Sequence, residues 1–174
     1  KTAAFALPIL NKTVHDQVLD QVRAELDRDP ADLYLADIGG YAARVMAELQ
    51  RRPFVQLSPT FVAWEGYAEE VGAPMMALPG ADAYRADFRA WLEREGATTT
   101  DPDDFAGVPP RALALVPEAM QPNADRVDHD RVTFVGPCTG DRTDQGSWER
   151  PEGADRVVLV SLGSSYTDQP ELYR

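Results

Sequence analysis

The stretch "DLYLADIGGYAARVMAELQRRPFVQLS" (32–58) constrains the fold more than any other part of this chain. "DLYLAD" (32–37) is a short apolar run with strand character, and Gly39-Gly40 makes a turn. "YAARVMAELQR" (41–51) then reads as a helix and "PFVQLS" (53–58) as a second strand. Strand, helix and strand at such close spacing form a βαβ unit, which favours a parallel sheet. The expected fold is therefore α/β.

The flanking sequence extends this pattern. Residues 9–28 read as an amphipathic helix, with Val14, Val18, Val22 and Leu26 recurring at i+4 and Leu19 widening the stripe. Asp29-Pro30 stops it. After the βαβ unit, residues 59–80 are rich in aromatics and Met and are broken by Gly66, Gly72, Pro74 and Pro79. Residues 81–96 predict a helix with Tyr84, Phe88, Trp91 and Leu92 on one face and Gly96 as its C-cap. A loop over 97–110, a third strand over 111–117 and a fourth over 131–137 complete the first part. Residues 138–155 are polar, Gly-rich and aperiodic, as a linker is. A closing strand, Val157 to Leu162, meets a Gly-Ser-Ser turn.

Charge and cysteine usage narrow the function. The net charge of −12 argues against a nucleic-acid or anionic-membrane partner, since both need basic surface. No apolar run approaches the length of a membrane span. A single cysteine, Cys138, excludes an internal disulfide and fits a reducing cytoplasm. His15 and His129 are too far apart for zinc spacing, and no visible motif requires a metal. Their neighbours mark both as solvated surface residues.

Three constellations can carry chemistry. Asp37 ends a strand, and open parallel sheets bind ligands at the carboxyl ends of their strands. A carboxylate there can orient a histidine base, or it can simply cap the following helix, which the pattern alone favours. Phe61, Trp64, Tyr67, Met75 and Met76 suit a pocket for a large apolar ligand, or a plain core. Gly163 and Ser164, in the strand-Leu-Gly-Ser turn, can bring a backbone N–H and a hydroxyl to a phosphate. That turn is neither a Walker A loop nor a Gly-x-Ser-x-Gly elbow, so a hydrolase with Ser164 as nucleophile is disfavoured.

The stretches "DIGGYAARV", "LSPTFVAWEGYAEEV", "MQPNADRVDHDRVTFVGPCTGDR" and "GADRVVLVSLGSSYTDQPELYR" together resemble the bacterial macrolide glycosyltransferases. These are UDP-dependent glycosyltransferases of the two-domain GT-B fold. The resemblance runs from about residue 30 to the end.

It implies a partial GT-B architecture. Residues 1–137 would be part of the N-terminal, acceptor-binding domain, a Rossmann-like parallel sheet without its first βαβ. Residues 138–155 would be the interdomain linker, and 156–174 the start of a truncated UDP-sugar-binding domain, represented by its first strand. By the same resemblance Asp37 orients a histidine base that the chain does not contain. Ser58 and Pro59 lie near the acceptor and catalytic centre, and Phe61, Trp64 and Tyr67 help to form the acceptor cavity. Ser164, with Gly163, approaches the donor diphosphate.

The implied reaction is inverting transfer of a hexose, glucose or a relative, from a UDP-sugar to a macrolide hydroxyl, which inactivates the antibiotic. The UDP-sugar is a co-substrate, no metal is called for, and the fragment alone is expected to be inactive. The alternative is a non-catalytic acidic α/β module that binds a small apolar ligand or a protein partner through residues 60–79.

Overall fold

The computed structural model describes residues 18–140, 146–160 and 171. The chain divides into two units, residues 1–138 and 139–174.

The first unit opens on helix α1, described over residues 18–28. It buries Leu19, with Val22 and Leu26 packed beside it. Leu19, Val22 and Leu26 thus form the inner face as expected, while Val18, also in the expected row, is 38% exposed. At 3.6 residues per turn, a strict i+4 row drifts around the helix and leaves the core. Val14 and His15 lie outside the described residues.

The βαβ unit forms as the sequence predicts. β1 (Tyr34–Asp37) and β2 (Phe54–Ser58) pair in parallel, with Tyr34 opposite Phe54 and Asp37 opposite Leu57. Between them α2 (Tyr41–Gln50) buries Ala42, Val45, Met46 and Ala47. The irregular stretch that follows holds a π-helical turn (Ala68–Gly72) running directly into the short α3 (Ala73–Met76).

α4 (Ala81–Glu95) buries Phe88, Trp91 and Leu92, three of the four residues expected on its inner face. Tyr84 is half-buried beside them. Burial raises the Tyr84 phenol to about 12, and the Tyr41 hydroxyl adds to that shift. Gly96 closes α4 at φ 79°, a left-handed conformation that glycine adopts without strain.

The loop expected over 97–110 contains a helix, α5 (Pro102–Gly107). Its start is encoded in "DPDD": Asp101 accepts from the N–H groups of Asp103 and Asp104, and Pro102 stands in the first turn. Six residues are too few for a periodic signal, and the flanking glycine and prolines masked it. β3 (Ala112–Ala114) and β4 (Val132–Phe134) follow, joined by 3-10 turns at Glu118–Met120 and Ala124–Arg126.

All four strands are parallel, in the order β1-β2-β3-β4. One face of the sheet carries Tyr34, Phe54, Ala112, Ala114 and Val132, all buried. Two apolar clusters cover it. One gathers α1, α2, α4 and α5 around Tyr34 and Phe54, and the other sets Val62 and Val127 on Ala112, Ala114 and Val132. On the opposite face Leu35 is 56% exposed.

In the second unit, residues 146–160 are irregular, with a turn in which Ala154 N–H bonds to the Pro151 carbonyl. The closing strand is not formed over its described residues, 157–160. Val158 and Leu159 are almost fully exposed there. A strand exists only by pairing, and these residues have no ladder partner among the described residues. Gly163 and Ser164 lie outside the described residues. Among the described residues, no helix is long and apolar enough to cross a membrane.

Candidate functional site at the carboxyl ends of the strands

Because the strands are parallel, their carboxyl ends form one edge, bearing Asp37, Ser58, Ala114 and Phe134. Asp37 reaches it through a tight turn. The Gly40 N–H bonds to the Asp37 carbonyl at 2.8 Å, and α2 starts at the next residue. A Cβ on Gly40 would lie 2.6 Å from the Ala36 Cβ, so only glycine lets the helix leave the strand so abruptly.

The Asp37 side chain does not cap α2. Gly40 is the N-cap, without a side-chain hydrogen bond. Asp37 Oδ1 instead accepts the Gly39 N–H at 3.2 Å. The carboxylate is exposed, and its Oδ2 has no hydrogen-bond partner among the described residues. Such a group is held by its turn and still free to accept a proton-bearing nitrogen.

Ser58 is fully buried. Its Oγ accepts from the Gln56 side-chain amide at 3.1 Å, and its carbonyl accepts the Leu115 N–H at 2.8 Å. Within this chain Ser58 anchors the end of β2, and Pro59, which is exposed, begins the loop beyond it.

That loop carries the aromatic residues singled out in the sequence. Phe61 is 53% exposed, whereas Trp64 and Tyr67 are half-buried. The last two meet edge to face, ring centroids 4.8 Å apart. Met76 is half-buried, and the side chain of Met75 lies outside the described residues.

The sequence reading missed the residues that hold this loop. Gln121, buried, bonds to both the N–H and the carbonyl of Val62, at 3.0 Å each. Arg126 donates to the Glu65 carbonyl and to Glu70 Oε1, while the Glu65 N–H bonds to the Arg126 carbonyl. Glu70 Oε2 takes the Trp64 indole N–H at 3.1 Å. Hydrogen bonds from Arg126, then from Trp64, hold the Glu70 carboxyl below the usual range. "MQPNADRVD" offered only its polarity as a signal, and polarity does not say which loop a side chain reaches.

His129 is exposed, 3.2 Å from the Ala124 carbonyl, in keeping with a surface residue. A cleft of about 510 Å³ lies elsewhere, lined by Arg44, Thr99, Asp104, Val108, Pro110 and Arg131. Pro110 and Arg131 precede β3 and β4, so it opens toward the amino ends of the strands. Arg44 there is already engaged by Glu48 and by the carbonyls of Phe105 and Val108. No group of three His, Cys, Asp or Glu side chains among the described residues is placed to hold a metal ion.

No protein-family model matches the chain. It is 52% identical over 162 residues to the oleandomycin glycosyltransferase of Streptomyces antibioticus. The chain is thus similar, over nearly its whole length, to a part of that glycosyltransferase. The match takes in 91% of this chain and 37% of that protein. The glycotransferase of kitacinnamycin superposes with a TM-score of 0.89 and 40% identity, over 99% of this chain and 46% of its own. The calicheamicin glycosyltransferase CalG4, 24% identical with a TM-score of 0.75, shares the fold over 98% of this chain and 44% of its own. The architecture is thus a partial GT-B domain. The chain spans less than half the length of these glycosyltransferases.

Proposed function

We propose that this chain is the acceptor-side portion of an inverting, UDP-dependent glycosyltransferase. The full-length enzyme moves a hexose, glucose in the leading reading, onto a hydroxyl of a macrolide and so inactivates it. It works in the cytoplasm without a metal. The observation that carries this reading is the 52% identity with the oleandomycin glycosyltransferase across nearly the whole chain.

The chemistry is a direct displacement. The acceptor oxygen loses its proton to a base and attacks the anomeric carbon. The bond from that carbon to the UDP oxygen breaks, and UDP leaves with the bonding pair. A histidine supplied by the rest of the full-length enzyme, neither His15 nor His129, is the base. Asp37 accepts its other ring N–H, fixes its tautomer and stabilises the imidazolium. The open Oδ2 at the carboxyl end of β1 supports that role. Phe61, Trp64, Tyr67, Met75 and Met76, with Ser58 and Pro59 at the base of the loop, form this chain's share of the acceptor site. Gly163 and Ser164 donate to the diphosphate, whose developing charge needs hydrogen-bond donors.

The test is Asp37→Asn in the full-length enzyme. Asparagine keeps the turn to Gly39, so folding should hold, while kcat should fall by about 10²-fold or more. A kcat equal to that of the wild type removes Asp37 from the catalytic pair.

A further inference from the structure

The 61–66 loop belongs to no sheet and no helix, yet it is fastened at two points to a segment about sixty residues further along the chain. The first is Gln121. A primary amide has the same donor and acceptor as a peptide group, so Gln121 engages Val62 as a neighbouring strand would. Its second amide proton goes to the Pro122 carbonyl at 2.9 Å. With both protons and the oxygen used, the amide has one orientation only.

The second point is Arg126. Its guanidinium lies against Gly66, where any Cβ would overlap it, and Gly66 has φ 89°. The positive φ favours glycine there, and a Cβ would also push the guanidinium aside. From Arg126 the contacts run through Glu70 to the Trp64 indole. The pose of Trp64, and of Tyr67 stacked edge-on against it, therefore depends on Arg126 through Glu70.

We infer that Gln121 and Arg126 are positioning residues for acceptor recognition, holding Phe61, Trp64 and Tyr67 in a single pose. This rests on the acceptor-side reading of the loop. A loop free to move would have to be ordered by each acceptor at an entropic cost; a fastened loop is ordered in advance. The effect falls on acceptor affinity and not on the donor or the base.

The experiment uses the full-length enzyme carrying this chain, with oleandomycin as acceptor and UDP-glucose as donor. Gln121→Leu and Arg126→Met are compared with Phe61→Ala, a direct change to an exposed lining residue. Gln121→Leu should raise the oleandomycin KM about tenfold, the scale of one buried hydrogen bond left unmade, and Arg126→Met, whose bonds are exposed, should raise it by about threefold or more. KM for UDP-glucose and kcat should stay near wild type, and amide exchange at Val62 and Glu65 should quicken. If Phe61→Ala raises the acceptor KM and the other two do not, the positioning role is overturned while the acceptor reading stands. If none of the three moves that KM, the acceptor reading fails and the positioning role goes with it. Should Gln121→Leu not fold, Arg126→Met decides alone, since its side chain is 35% exposed and can be replaced without opening the core.

Discussion

Glu48, on α2, receives both donors of Thr98, fifty residues later: its Oε2 accepts the backbone N–H at 2.8 Å and the hydroxyl at 2.9 Å. The same oxygen accepts the Thr99 N–H at 3.0 Å, and Arg44 donates to Oε1 at 3.3 Å. Burial by itself would raise this carboxyl. The Thr99 and Thr98 hydrogen bonds and Arg44 outweigh it and hold the group below the usual glutamate value. Its stabilising effect is therefore complete above the unfolded value of about 4.3 and is lost as pH falls through the lower folded value. Glu48→Gln should cost about 1–3 kcal/mol near neutral pH. Urea midpoints of the two proteins should converge as pH drops below about 4.

The phenol of Tyr84 behaves in the opposite sense. Raised to about 12, it stays protonated in the folded chain after an unfolded tyrosine has ionised. Stability is present below about pH 10 and is lost as pH rises from there toward 12. Tyr84→Phe should flatten that decline, and ultraviolet titration should lose one late-ionising phenol.

Asp101 caps α5 and also pairs with Arg89 at 2.9 Å. The N–H groups of Asp104 and Asp103 hold its carboxyl below the usual range, with Arg89 and Arg85 assisting. Asp101→Ala should cost about 1 kcal/mol, and Asp101→Asn should restore most of it because asparagine caps equally well. Guanidinium denaturation of the three proteins checks the order.

Two glycines should answer substitution in opposite ways. Gly40→Ala forces a Cβ to within 2.6 Å of Ala36 and 3.0 Å of the Asp37 carbonyl, and should cost about 1–3 kcal/mol. Gly107, at the end of α5, has open space around it. Gly107→Ala should therefore be neutral or stabilise by up to about 1 kcal/mol through the unfolded state. Thermal melts of both variants distinguish packing from backbone entropy as the controlling factor.

Local patterns carried the fold and little of the site. β1, α2 and β2 were legible because apolar runs, a glycine pair and a helical period follow each other closely. α4 was legible because Phe88, Trp91 and Leu92 repeat at helical spacing. α5 escaped because six residues are shorter than two turns. Asp37 could be read as a strand-end carboxylate, yet its partner is Gly39 and not the helix it precedes. Gln121 and Arg126 were invisible because their bonds span roughly sixty positions, and no short window contains both ends.

The strand order has a consequence for how the chain is made. Since β1, β2, β3 and β4 stand side by side in the order they are synthesised, each newly emerged strand finds its partner already at hand. Among the described strands, none has to wait for a later one to separate it from its neighbour. The sheet can grow from one edge as the chain leaves the ribosome, and the Gln121 and Arg126 contacts, drawing on the last segment before β4, fasten the aromatic loop only after β3 has been laid down.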